Sequence, residues 1–328
     1  MSKNSSNNIF NSAIVASAVS AACELGILDE MQDNGFIDIN KFCYEKNLYQ
    51  PLVISIISAL CCYDICTLAN EDNFLKKGLI FEEIYQNKGF FLWLVRGNGT
   101  ILRKLATMAK NEKRTGNFVQ RDGAYIAIAS RDQGSRMVDP YFERALNEFP
   151  FDTVVDLGCG TAERLINLAK QFPHVHALGI DINSDAVKIA LSRIQSEGVE
   201  GQLSVLQGDI TKLLPQPEFL DVDTIFSFFS GHDLWPHENC VQIMRNFRTV
   251  FPNVKRFLLC DTYRSGIGLT SEIPIFTLGF ELIHASMGQY IPSITEWMAL
   301  FAESGWECVQ RHDVEVAYSS IFDLRPMQ

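Results

Sequence analysis

Apolar and polar positions follow two different rhythms along this chain. Between residues 11 and 31 apolar side chains recur at helical spacing on nearly every side, predicting a helix that ends near Gly26 and is buried or shared with a partner. Residues 38–46 and 51–62 predict two more helices, and 67–80 a small polar hairpin. Together these make a winged-helix pattern, preceded by a polar stretch, 1–8, that is expected to be disordered. Past residue 150 the rhythm changes. Short, continuous apolar runs at 153–157, 175–180, 203–206 and 222–229 each end in a turn, which predicts an α/β fold with a buried parallel sheet and helices on both faces. Three parts are expected: a mainly α, winged-helix-like domain over 1–84, a helical connector contributing to a substrate pocket over 85–140, and an α/β ligand-binding domain over 141–328.

The ends of the apolar runs carry the chemistry. In Thr153-Val-Val-Asp156-Leu-Gly158-Cys159-Gly160-Thr-Ala162, a buried strand enters a tight turn whose glycines let a ligand approach the backbone with no Cβ in the way. Asp156 at the strand end is wrong for a phosphate, which prefers helix-start N–H groups with no carboxylate beside them. It suits a ligand with cationic and hydroxylated parts, and S-adenosylmethionine has an ammonium, a sulfonium and a ribose diol. The next runs repeat the logic. Asp181 is expected to accept both ribose hydroxyls, and Asp209, beside Ile210, to accept from the adenine amine. Ser227 and Phe228, closing the fourth run, are counted with them as cofactor-binding positions. A nicotinamide dinucleotide fits less well, because Glu163 stands where the third glycine of Gly-x-Gly-x-x-Gly would be.

Composition narrows the partners. Of 328 residues 47% are hydrophobic, enough for packed cores, and a net charge of −11 argues against a nucleic-acid partner. The would-be recognition helix at 51–62 holds no Lys or Arg, and residues 1–80 carry five lysines against nine acids. A DNA reader needs cationic and amide side chains there, so the expected role of this domain is homodimerisation; a winged-helix regulator is disfavoured on the same ground. Nine cysteines, odd in number and mostly in apolar runs, read as reduced thiols of a cytoplasmic protein. No basic stretch precedes an apolar one at the start, and 13–28 carries Glu24, so neither a signal peptide nor a membrane span is expected.

The order strand–Asp-x-Gly-x-Gly–helix, strand–Asp, strand–Gly-Asp over about residues 140–328 resembles the class I S-adenosylmethionine-dependent methyltransferases, with their Rossmann-like sheet. Residues 18–30 resemble the dimerisation helix of the plant-type O-methyltransferases. In that family a His-Asp pair after the fourth strand supplies the general base. Here Ser230-Gly231-His232-Asp233-Leu234-Trp235-Pro236 stands at that point, and 240–246 resembles the helix that follows. The family's orienting acid after the fifth strand would be Glu272 or Glu281. A second histidine, in Phe280-Glu281-Leu-Ile-His284, falls on a helix over the methyl-accepting side of the cleft.

This pair resembles the bacterial α-keto acid C-methyltransferases of arylpyruvate type, which act in natural-product biosynthesis. The resemblance implies that His232 and His284 bind one metal ion, iron or zinc, and that Asp233 assists the reacting enol. Arg121, in Arg121-Asp-Gly-Ala-Tyr125, would clamp the substrate carboxylate, and Trp93 would wall the pocket. The expected reaction is methylation of the β-carbon of a small α-keto acid through a metal-stabilised enolate. The alternative is a metal-free O-methyltransferase with His232 as base. His174, His176, His237 and His312 are expected to be structural or exposed.

Overall fold

The structure, a computed structural model, describes residues 5–69, 73–266 and 273–328. The chain forms two compact units, Met1–Gly134 and Ser135–Gln328.

In the first unit, α1 (Ser6–Leu25) begins where the Ser5 side chain accepts from the N–H of Asn8. Residues 1–4 of the stretch expected to be disordered lie outside the described residues, and 6–8 are helical instead. Gly26, at φ 77°, returns its N–H to Ala22 and Cys23 and ends the helix. The helix thus ends at Gly26 as expected, and α2 (Ile27–Asn34) starts afresh from it. β1 (Phe36–Asp38), α3 (Ile39–Glu45), α4 (Gln50–Cys61), β2 (Cys66–Ala69) and β3 (Phe74–Lys77) follow, the strands forming an antiparallel sheet in the order β1-β3-β2. α5 (Phe81–Gln86) and α6 (Lys88–Phe91) lead into a π-helical turn, Leu92–Gly97, and then α7 (Gly99–Met108). α1 buries Val19 and Ala22 but leaves Ile9, Phe10 and Ile14 exposed. By length and composition it is apolar enough to cross a membrane.

α8 (Gly123–Met137) spans the boundary, and α9 (Asp139–Leu146) opens the second unit. There β4 (Thr153–Leu157), α10 (Glu163–Gln171), β5 (His176–Asp181), α11 (Ser184–Glu197), β6 (Leu203–Gln207), β7 (Thr224–Phe228), α12 (His237–Val250) and β8 (Arg256–Thr262) alternate strand with helix or loop. α13 (Thr277–Met287) and α14 (Ile294–Glu303) precede β9 (Trp306–Asp313) and β10 (Ser319–Pro326). The seven strands lie in the order β6-β5-β4-β7-β8-β10-β9. The first five in sequence are parallel, and β10 runs antiparallel to both β8 and β9. Val154, Val155 and Leu157 on central β4 are fully buried, as their apolar run requires. Strand order reverses between β4 and β7, and open sheets of this kind bind ligands at that point, beyond the carboxyl ends of the strands. Buried Arg256 pairs with buried Asp323 and donates to the carbonyls of Ala145 and Leu146 at the end of α9. Its charge is therefore compensated within the core.

Candidate active site

β4 stops at Leu157 and the chain turns through Gly158 (φ 89°) and Gly160 (φ 55°). The N–H groups of Gly158 and Cys159 donate to Ile180 O at 2.8 and 3.1 Å. The N–H of Gly160 donates to Asp181 Oδ2 at 2.8 Å, so the loop hangs on the end of β5. Asp181 Oδ1 accepts from the N–H of Asn183 at 2.8 Å. An ionised carboxylate offers about four lone-pair positions, which leaves Asp181 acceptor capacity for a diol. Asp209 accepts from the Thr211 hydroxyl at 2.6 Å and N–H at 3.0 Å and pairs with Lys212 at 2.9 Å. The Thr211 hydroxyl, then Lys212, hold its carboxyl down at about 2. Ile210 beside it is half-buried.

Asp156 is buried, and its Oδ1 has no hydrogen-bond partner among the described residues. Burial pushes its carboxyl up to about 7 against the pull of Arg164. A buried acceptor in this condition fits a cationic donor such as the ammonium of S-adenosylmethionine. Arg164, on α10, reaches Asp139 with Nε and Nη2 at 2.9 and 2.7 Å and lies 3.4 Å over the ring of Phe228. The Ser227 hydroxyl donates to Leu157 O at 2.7 Å and meets Ser230 Oγ at 2.5 Å, tying the ends of β4 and β7 together. Cys159 Sγ occupies space over β5: a Cβ on Gly179 would stand 2.6 Å from it. Burial, then Asp156 and Asp181, push the Cys159 thiol up.

On the other side of the crevice, β7 leads through Ser230 and Gly231 into a 3-10 turn at His232–Leu234. A Cβ on Gly231 would lie 2.7 Å from Asp261 Oδ2 and 3.2 Å from Trp297, so the turn is built around the absence of a side chain. His232 is buried, and its Nδ1 donates to Asp261 Oδ1 at 2.7 Å. Asp261, fully buried at the end of β8, also accepts from the N–H groups of His232 at 2.9 Å and Thr262 at 2.7 Å. His284, on α13, is buried with its ring centroid 4.9 Å from that of His232 and the planes at 82°. Its Nδ1 donates to Phe280 O at 2.7 Å. A carbonyl and an ionised carboxylate only accept, so Nδ1 carries a proton on both rings, and the neutral form of each has its lone pair on Nε2. Metal-binding histidines are characteristically held in this way, Nδ1–H on an acceptor and Nε2 for the ion. Imidazoles and a carboxylate are ligand types that divalent and trivalent metals take. Asp233 Oδ1 lies 3.8 Å from His232 Nε2 and accepts from the side-chain amide of Gln289.

The structure thus brings His232, Asp233 and His284 together, and Asp156, Gly158, Gly160, Asp181, Asp209, Ser227 and Phe228 onto strand ends of the same sheet. Arg121 and Trp93 belong to the N-terminal unit. Trp93 is buried within the π-helical turn, a rare conformation often found at functional sites. Arg121 is exposed, and the N–H of the next residue, Asp122, donates to Gly97 O at 2.8 Å. The orienting acid needs correction. Glu272 lies outside the described residues, and Glu281 accepts from the N–H of Ser265 at 2.7 Å. Asp261 does that work instead. Its signal was present, for it ends the run Leu258-Leu259-Cys260 as Asp156 and Asp181 end theirs. Ligand atoms of Glu148, His312 and Asp323 also lie within 4.8 Å of one another, but Asp323 already pairs with Arg256 and Arg325.

Residues 150–314 match the family model described as a methyltransferase domain. The chain is 37% identical to methyltransferase ungE' of Aspergillus campestris over 96% of this chain and 95% of that protein. It is 27% identical to the indolepyruvate C-methyltransferase of Streptomyces griseus over 97% and 94% of the two chains. The solved structure of human N-acetylserotonin methyltransferase with S-adenosylmethionine covers 100% of both chains with a TM-score of 0.72 at 16% identity, so the fold is shared through the N-terminal helical unit as well.

Proposed function

The chain belongs to the methyltransferase domain family, and from that premise we propose that it methylates the β-carbon of a small α-keto acid beside a metal ion held by His232 and His284. It is an S-adenosylmethionine-dependent enzyme of the O-methyltransferase-like type. One observation carries the proposal: two buried imidazoles lie edge to face with ring centroids 4.9 Å apart, each with Nδ1 committed to an acceptor. A β-carbon is a poor nucleophile until the keto acid enolises, and a bound iron or zinc ion would supply the Lewis acidity that favours the enolate. Asp261 and Phe280 O fix the two tautomers, and Asp233 takes the proton lost on enolisation. Asp156 receives the cofactor's ammonium, Asp181 its ribose and Asp209 its adenine, which aligns the methyl group with the acceptor carbon. The 27% likeness to an indolepyruvate C-methyltransferase along nearly the whole chain supports this reading.

The 2.7 Å bond between His232 and Asp261 favours a second reading, a metal-free O-methyltransferase with His232 as general base. Chelation and elemental analysis separate the two. On the first reading the purified enzyme holds about one metal per chain, loses turnover of indolepyruvate when chelated, and is inactive as either His232→Ala or His284→Ala. Full activity of chelated enzyme, with His284→Ala still active, decides for the second.

The roles divide along the chain as 1–84 for homodimerisation, 85–140 for the pocket and 141–328 for cofactor and chemistry. Exposed Ile9, Phe10 and Ile14 on α1 and Leu52 and Ile54 on α4 give the first part an apolar face for a second copy. Nine free cysteines suit the reducing cytoplasm.

A further inference from the structure

Gln289 is the first residue past the C-cap of α13, Gly288 (φ 84°). Its main-chain N–H donates to the carbonyl of His284 at 2.9 Å. Its side-chain amide donates to Asp233 Oδ1, next to His232. One residue is therefore bonded to the backbone of one histidine and to the carboxylate beside the other. The orientation of the amide follows from chemistry, since an ionised carboxylate accepts and does not donate, and only the nitrogen can face it. Oε1 then points away from Asp233, buried and with no hydrogen-bond partner among the described residues. A buried acceptor left without a donor is costly, so stability alone does not account for a glutamine here.

We propose that Gln289 is a positioning residue that sets the spacing of the two histidines, by joining the turn of His232 and Asp233 to the end of the helix that carries His284. The inference rests on reading His232 and His284 as one site, and it assigns no contact with substrate to Gln289. Its main-chain bond survives any side-chain substitution, so variants isolate the link to Asp233. Gln289→Met keeps the length of the side chain and removes both the donor to Asp233 and the orphaned Oε1.

The test uses the full-length, chelated protein with Zn2+ alone as the probe, followed by calorimetry. Gln289→Met and Gln289→Ala should weaken Zn2+ binding by about 10- to 100-fold, the range for outer partners of metal ligands. S-adenosylmethionine binding should stay within about 2-fold, and the melting temperature of Gln289→Met should be unchanged or higher. In a cycle with Asp233→Ala, the double variant should be no weaker than the worse single one, because both act through one bond. Unchanged Zn2+ affinity, additive losses, or a loss that follows a drop in melting temperature would overturn the proposal. Wild-type protein that binds no Zn2+ would instead count against the metal reading. In that event the ring 15N resonances of the chain's six histidines decide on Gln289 itself. Gln289→Met must then shift the resonances of both His232 and His284 at fixed pH, and spectra in which neither moves refute it.

Discussion

Asp261 holds His232 twice, taking the ring Nδ1–H on one carboxylate oxygen at 2.7 Å and the main-chain N–H on the other at 2.9 Å. Ring tautomer and backbone turn are set by the same group, and neither can change without the other. Asp261→Asn keeps the shape but can offer an N–H where His232 needs an acceptor, favouring the tautomer with the proton on Nε2. We expect kcat to fall at least about 100-fold while the affinity for S-adenosylmethionine stays within about 2-fold. Steady-state kinetics with calorimetry on the folded variant checks this; equal losses in both would point to a misfolded loop.

We expect Asp156, if it receives the cofactor's ammonium as proposed, to make cofactor binding pH-dependent. Its carboxyl stands near 7 in the folded protein, against an ordinary value of 3.8. Between those limits the folded state keeps a proton that the unfolded chain has lost. Stability of the ligand-free protein should therefore fall as pH rises from about 4 to about 7, by on the order of 1.4 kcal/mol per pH unit at most. Binding of a cationic cofactor works the other way, strengthening as pH rises towards 7 and levelling off above it, with proton release on binding below about 7. Calorimetry in buffers of different ionisation enthalpy reads that proton. Asp156→Asn should abolish the release, and a wild-type protein that releases none at pH 6 would refute the assignment.

Asp181 holds the loop through Gly160 and Asn183, and on the proposed reading it also receives the ribose. Asp181→Ala removes the proposed acceptor of the ribose hydroxyls, and an unpaired partner costs about 1–3 kcal/mol, so cofactor affinity should drop roughly 5- to 150-fold. Unchanged binding by a folded variant would remove Asp181 from the site.

The apolar face of α1 predicts a dimer in solution. Ile9→Glu combined with Phe10→Glu puts charge on positions that are 71% and 70% exposed, so the fold of one chain should tolerate it. Light scattering should show a dimer for the wild type and a monomer for the variant. A wild-type monomer at micromolar concentration would contradict the assignment.

The sheet was legible because one rule recurs: an apolar run is a strand, and an acid stands at or just past its end. Asp261 obeys the same rule at the end of β8, whereas an orienting acid expected beyond the strand points to Glu272 and Glu281. Gly26 marked the end of the first helix, but that a second helix starts from the same glycine gave no separate sign in the pattern. That His232 and His284 face each other could not be read from spacing; it depends on how α13 packs over the turn after β7. Gln289 gave no signal at all, since an amide takes its role from what it meets.

The thiol of Cys159 sits in the loop that family membership places against an alkylating cofactor. Thiolates, not thiols, attack electrophilic carbon. With Gly179 making room for Sγ, and burial and two carboxylates keeping the proton on, this cysteine stays a poor nucleophile at any physiological pH. On this account the cofactor loop should resist self-methylation, and a thiol-reactive probe should label exposed Cys62 long before Cys159.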